Sequence, residues 1–241
     1  MNAEQYYQQH VLLHAQGSLR REARDLRELP PVPSETDYAL FWLTQENRRG
    51  TILDVGCGPL GLLASAEGWF TERHGFDIAR CPSWDEQPQI QALVGNLDAG
   101  PLPYPDERFD AVTCLMVVEH VFDPFHAVRE LRRVCKPGGR IVIGVPNLAG
   151  LKRRLDLLVG KFPVTSARHS FAEGSWDGFH LHNFTQTSLD WLLRKEGLEP
   201  LRWAAQGRLR ILKQWRPSLF GNDLIVLARK VAPEPHRPFP N

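Results

Sequence analysis

Apolar and polar positions along the 241 residues fall into two alternating rhythms. Short apolar runs at Thr51–Val55, Phe109–Leu115 and Arg140–Val145 read as strands, while His74–Ile78 is short and ends in an acid and Ile90–Val94 alternates weakly. Between them lie helical patterns. Ser34 is a suitable N-cap for a helix through Tyr38-Ala-Leu-Phe-Trp-Leu43, and Leu60–Phe70 predicts a second helix. Pro124–Cys135 predicts a third, with Val128, Leu131 and Val134 on one side, closed by the turn Lys136-Pro-Gly-Gly139. Leu148–Val159 and Thr187–Glu196 follow as helices, the latter stopped by Gly197, and Leu201–Ala205 and Leu224–Ala228 as late strands. This β-α-β-α order predicts an α/β fold with a doubly wound, mostly parallel sheet covered on both faces. Such sheets bind ligands at the carboxyl ends of their strands.

The pattern is weaker at the flanks. Residues 3–28 are charged and helix-favouring, with Tyr7, Val11, Leu12 and Leu19 at loosely helical spacing, and Pro30, Pro31 and Pro33 then break the chain. Residues 1–33 therefore read as an N-terminal helical arm or lid, 34–230 as the main domain and 148–184 as an insert on the acceptor side. The insert carries Phe162, His169, Phe171, Trp176, Phe179, His180, His182 and Phe184. A loop this long in a compact domain usually has a function. The proline-rich stretch 231–241 is expected to be a disordered tail.

Composition adds mainly exclusions. Hydrophobic residues at 42% and charged residues at 24% are ordinary for a soluble domain. A net charge of +1 gives no electrostatic case for nucleic acid. Cys57, Cys81, Cys114 and Cys135 lack disulfide or metal-ligand spacing. No signal-peptide pattern and no apolar run of about 20 residues is present, so the cytoplasm is the expected compartment, with peripheral membrane contact left open.

The most informative stretch is Thr51-Ile-Leu-Asp-Val-Gly-Cys-Gly-Pro-Leu-Gly61. Gly56, Gly58 and Gly61 satisfy a dinucleotide fingerprint, with Asp77 at a suitable distance for a ribose. Asp54 argues otherwise, because a carboxylate at the end of the first strand suits a cation better than a pyrophosphate. Ile52-Leu-Asp-Val-Gly-Cys-Gly58 resembles the first motif of class I S-adenosylmethionine-dependent methyltransferases. Gly95-Asn-Leu-Asp98, Val118-Glu-His-Val121, Leu131-Arg-Arg-Val-Cys-Lys-Pro-Gly-Gly139 and His180-Leu-His-Asn-Phe-Thr185 resemble its later motifs in the family's order. The resemblance covers residues 51 to about 200. It implies a seven-stranded sheet with a reversed last hairpin, and S-adenosyl-L-methionine as cofactor. Around that cofactor it places Asp54, Gly56, Cys57, Gly58, Asp77, Ile78, Asn96, Leu97, Leu115 and Glu119. Two positions depart: Leu60 stands where a glycine is usual, and Asn96 where an acid is usual.

Methyl transfer to an alcohol needs a base near the transition state. His120, after the fourth strand, leads, and His180 and His182 follow, since alternate spacing in a strand-like run would put both on one face. Glu119 with His120 lacks a clear third ligand, so no metal is expected. Lys152, Arg153, Arg154, Arg208, Arg210, Lys213 and Arg216 form basic clusters that suit a solvated face or an anionic acceptor. The expected activity is O-methylation of a small molecule or glycan. Two alternatives stand beside it. Pro146–Leu155 and Gly160–Val164 resemble a methionine-biosynthesis family called MetW, accessory to a homoserine acyltransferase. The glycine fingerprint alone would suit a nicotinamide-dependent oxidoreductase.

Overall fold

The structure, a computed structural model, describes residues 26–45, 50–166, 177, 180–206, 213, 215–234 and 236–240. Most of the expected N-terminal arm lies outside these residues, as do His169, Phe171, Trp176, Phe179, Arg208 and Arg210.

Seven strands form one sheet: β1 (Thr51–Val55), β2 (Glu72–Asp77), β3 (Gln91–Val94), β4 (Phe109–Leu115), β5 (Cys135–Pro146), β6 (Leu198–Ala204) and β7 (Asp223–Lys230). Their order is β3-β2-β1-β4-β5-β7-β6. The first five pair in parallel, and β7 runs antiparallel to both β5 and β6. This is the doubly wound sheet with a reversed last hairpin. Strand side chains divide between two cores, one per face. Leu53, Val112, Ile141 and Val226 join one, whereas Ile52, Ala111, Val142 and Ile225 join the other. Alternation of Cβ direction sends neighbours to opposite faces, and because both faces are covered, central strands read as unbroken apolar runs. The edge strands β3 and β6 are more exposed, and β6 accommodates Pro200 at a register shift.

Helices α1 (Glu35–Gln45), α2 (Gly61–Ser65), α3 (Pro124–Val134), α4 (Leu151–Leu158), α5 (Gln186–Lys195) and α6 (Pro217–Phe220) complete the described regular structure, with a short 3₁₀ turn at Pro82–Glu86. Ser34 caps α1 reciprocally with Asp37: its Oγ accepts from Asp37 N at 3.3 Å, and Asp37 Oδ2 accepts from Ser34 N at 2.8 Å. The second helix is shorter than the pattern predicts. It stops at Ser65, and the chain turns through Gly68 at φ 75° before Phe70. The proline-rich end, expected to be disordered, lies along α5 instead. Trp191 Nε1 donates to Arg237 O at 3.0 Å, and the Trp191 and Phe239 rings meet at 5.1 Å. An indole N–H covered by apolar neighbours needs an acceptor, and the tail supplies it.

The chain steps outward from β1 through β2 to β3, then returns to β4 and steps the other way. The carboxyl ends of β1 and β4 flank this reversal, where an open sheet leaves a crevice.

Candidate active site

The glycine loop after β1 carries the sharpest local geometry. Gly56 and Gly58 have φ of 78° and 45°, left-handed values that glycine adopts without cost. A Cβ on Gly56 would collide with Val117, while one on Gly58 would meet nothing within 4 Å. The loop therefore packs at its first glycine and opens at its second. Leu60 also turns left-handed, at φ 67°, with its side chain fully buried. The missing glycine leaves no bulge: leucine itself takes the conformation, and Gly61 is simply the first residue of α2.

Asp77, at the end of β2, accepts from Gly58 N at 2.8 Å and Ala79 N at 3.1 Å. Burial pushes its carboxyl up, against those amide donors. Asp54 accepts from Thr113 Oγ1 at 2.6 Å and is 4% exposed. Burial pushes it up to about 7, with the Thr113 bond opposing and Asp77 adding. Two carboxyl groups in one dry corner favour a cation between them. Cys57 is buried in the apolar cluster behind the loop, where burial pushes its thiol up. Asn96 Oδ1 accepts from Asp98 N at 2.9 Å, closing a local turn just after β3. Leu97 sits in the core with Phe76 and Val118, and Leu115, half-buried, ends β4.

Two supports escaped the sequence reading. Trp84 Nε1 donates to Gly58 O at 2.7 Å, and Ser83 Oγ donates to Pro59 O at 3.1 Å. The 3₁₀ turn thus pins the glycine loop from outside. Pro82 at its first position was the available signal.

Beyond β4 the chain turns through Met116 at φ 56°, a strained value that redirects it across the strand ends. Glu119 is 1% exposed, and among the described residues no other group donates to either carboxyl oxygen. Burial pushes it up to about 8; its own amide opposes this and the Asp223 carboxylate adds to it. His120 lies at the surface of the same turn, its Nε2 4.0 Å from Glu119 Oε1. The His120 and His180 rings meet at 4.8 Å and 64°. Glu119, His120 and His180 each offer one ligand atom, all within 4.8 Å of one another, a set able to hold a metal ion.

His180 and His182 part company. Residues 180–183 form no strand, since the segment is held as a strap: Leu181 N and His182 N both donate to Glu119 O, at 2.8 and 3.1 Å. His180 turns inward against His120. His182 pairs through Nε2 with Phe122 O at 3.3 Å, and a carbonyl only accepts, so this nitrogen carries the proton. The basic residues of the insert are largely engaged. Arg153 donates to Val164 O, Asn147 O, Asn222 O and Thr165 O, stitching the insert to the sheet. Lys152 pairs with Asp156, Arg154 Nε donates to Ala149 O at 2.5 Å and Lys213 Nζ to Gln206 O at 2.6 Å. Long charged side chains near strand ends find carbonyls there, which sequence charge counts cannot show.

A glycine loop, two buried acids at the ends of β1 and β2, and a histidine turn after β4 define the class I S-adenosylmethionine-dependent methyltransferase arrangement. The family described as "Methyltransferase domain" matches residues 21–202, and the chain belongs to it. Similar proteins include a 27-O-demethylrifamycin SV methyltransferase of Amycolatopsis mediterranei, 31% identical over 163 residues, covering 62% of this chain and 54% of the relative. A ubiquinone biosynthesis O-methyltransferase of Alkalilimnicola ehrlichii is 35% identical over 136 residues, 52% of each chain. The chain thus spans about half the length of these relatives. A solved S-adenosylmethionine-dependent methyltransferase from Mesorhizobium loti shares the fold: TM-score 0.59, 18% identity, covering 82% of this chain and 98% of that one.

Proposed function

We infer that the protein transfers the methyl group of S-adenosylmethionine to a hydroxyl oxygen of a small molecule or glycan. The carrying observation is the convergence of Asp54, Asp77 and the open face of Gly58 with His120 at the carboxyl ends of neighbouring strands. On this reading Asp54 faces the ammonium end of the cofactor and Asp77 its ribose. Asn96, with Ile78 and Leu97, borders the adenine, while Gly56, Cys57, Leu115 and Glu119 shape the remaining wall. The sulfonium already activates the carbon, so the protein's contribution is mostly alignment. His120 takes the acceptor's proton as the new bond forms, and His180 backs it. The relatives' printed names, which include O-methyltransferases of rifamycin and ubiquinone synthesis, favour oxygen as the methylated atom. Residues 1–33 and the 148–184 insert would choose the acceptor, since variable loops around a fixed scaffold carry specificity.

Calorimetric titration with S-adenosylmethionine, then a panel of hydroxylated acceptors assayed for S-adenosylhomocysteine release, tests the reading. Absence of binding at millimolar cofactor would sink it. His120→Ala is expected to lower turnover by about 100-fold or more with cofactor affinity kept. Unchanged turnover would remove His120 as the base.

Glu119's unpartnered carboxyl supports a second form of the same reading. In it Glu119, His120 and His180 would hold a divalent cation, which would supply Lewis-acid polarisation of the acceptor hydroxyl. Turnover lost on chelation and restored by Mg²⁺ would select this form, and turnover indifferent to chelator would keep the metal-free one.

A further inference from the structure

Thr165 and Asp177 lie in the insert, and neither was singled out by the sequence. Asp177 is 2% exposed, and its carboxylate collects donors from Thr165 and Ser166. Oδ1 accepts from Thr165 N and Ser166 N, each at 2.9 Å, and Oδ2 accepts from Thr165 Oγ1 at 2.7 Å. An ionised carboxylate only accepts, so the single hydroxyl proton of Thr165 points at Asp177. Asn183 Oδ1, at 3.5 Å from the same hydroxyl, is too far to compete for it.

Thr165 Oγ1 also lies 2.6 Å from His180 Nδ1. With its proton committed to Asp177, the hydroxyl can only accept there, so His180 Nδ1 carries a hydrogen. The His180 side chain is 8% exposed. A neutral imidazole protonated on Nδ1 has a bare lone pair on Nε2. Because Nδ1 is taken by Thr165, Nε2 is the atom His180 can offer to the group it forms with Glu119 and His120.

We propose that Asp177 and Thr165 form a positioning relay that fixes His180 as the Nδ1–H tautomer, so that its Nε2 lone pair is the one offered toward His120 and holds that ring in place to take the proton of the acceptor hydroxyl. The balance closes within the methyl-transfer reading, on which this catalytic part rests. The acceptor's O–H bond breaks and its proton passes to His120. The new O–CH₃ bond forms as the S–CH₃ bond breaks, and the sulfonium becomes a neutral thioether. The resulting His120 imidazolium, held against His180, later returns the proton to water. Thr165 and Asp177 touch no reacting atom and act only through His180.

The tautomer can be read without any acceptor. The full chain, labelled with ¹⁵N-histidine and saturated with S-adenosylhomocysteine in the presence of EDTA, is examined by NMR, with His180 assigned by its loss in His180→Gln. A pyrrole-type Nδ1 and a pyridine-type Nε2 are expected. Thr165→Val should abolish that preference and Thr165→Ser should restore it. Asp177→Asn, whose amide can donate to Thr165 Oγ1 and free the hydroxyl proton for His180, should reverse it. With the best acceptor of the panel, Thr165→Val should lower kcat about tenfold or more with KM within about twofold, and Thr165→Ser should recover most of the loss. An Nε2–H tautomer in the wild type, an undiminished Nδ1–H preference in Thr165→Val, or an unchanged kcat in that variant would each overturn the proposal. Failure of the wild type to bind S-adenosylmethionine removes the methyl-transfer reading by itself and leaves the tautomer result to stand or fall separately.

Discussion

Asp54 is a carboxyl group shut away from water, and burial holds it protonated below about pH 7. Only the ionised form pairs strongly with an ammonium group, so cofactor binding must expel the proton below that pH. Affinity for S-adenosylmethionine is therefore expected to weaken by up to about tenfold per pH unit below 7, and to level off above it. Calorimetry between pH 5 and 8 checks this, and Asp54→Asn should flatten the profile. For folding the sign runs the other way. A carboxyl raised above its ordinary value stabilises the empty protein at low pH, and that contribution fades as pH rises through the window from about 4 to about 7. Leu60 poses a different balance. Its left-handed backbone costs about 1–2 kcal/mol. Truncating a buried leucine costs about 2–5 kcal/mol. The burial term is larger, so Leu60→Gly is expected to lower the thermal midpoint by several degrees, although glycine is the residue the backbone would prefer. Cofactor affinity should change little, because the loop already follows the glycine path. A higher midpoint would show that strain outweighs packing.

At the scale of elements, the site is a set of short turns held by neighbours. The 3₁₀ turn Pro82–Glu86 holds the glycine loop through Trp84 and Ser83. Trp84→Phe keeps most of the ring but removes the donor, leaving the part-buried Gly58 O without it. An unsatisfied buried acceptor costs about 1–3 kcal/mol. Part of that falls on the loop's ligand-bound form, so S-adenosylmethionine affinity is expected to drop about tenfold with far-UV circular dichroism unchanged; an unaltered Kd would assign Trp84 to packing alone. The turn after β4 is held similarly. Asp98 Oδ1 accepts from Phe122 N at 2.9 Å, and the Glu119 carbonyl receives the 180–182 strap, so the turn at Asn96–Asp98, the histidine turn and the insert are tied together. The exposed leucines of α4 show the opposite case: that helix buries none of its side chains and is attached mainly through Arg153.

At the scale of the molecule, a ligand that binds only the folded state stabilises it by mass action. Saturation at about 100 times Kd adds about 2.7 kcal/mol. For a domain of this size that is a rise in thermal midpoint of about 5–10 °C. S-Adenosylmethionine and S-adenosylhomocysteine should both produce it and NAD should not; the reverse pattern would return the dinucleotide reading of Gly56, Gly58 and Gly61. That reading was open because the fingerprint is local, whereas Asp54 and the ordered later segments are not. The sequence by itself determined the alternation of strands and helices, and with it the doubly wound sheet and the place of Asp54, Asp77 and His120 at strand ends. Strand and helix periodicities are written in apolar burial, which every core residue reports. Its boundaries failed where backbone hydrogen bonding decides, as with the short α2 and the tail laid on α5. Only the tertiary structure decided that Leu60 accepts the left-handed turn, that Arg153 is a stitch between the insert and the sheet, and that His180 and His182 diverge. It alone brought Thr165, Asp177, His180 and His120 together from two loops. Hydrogen bonds between distant loops depend on where the folded backbone places single atoms, and no period along the chain encodes that.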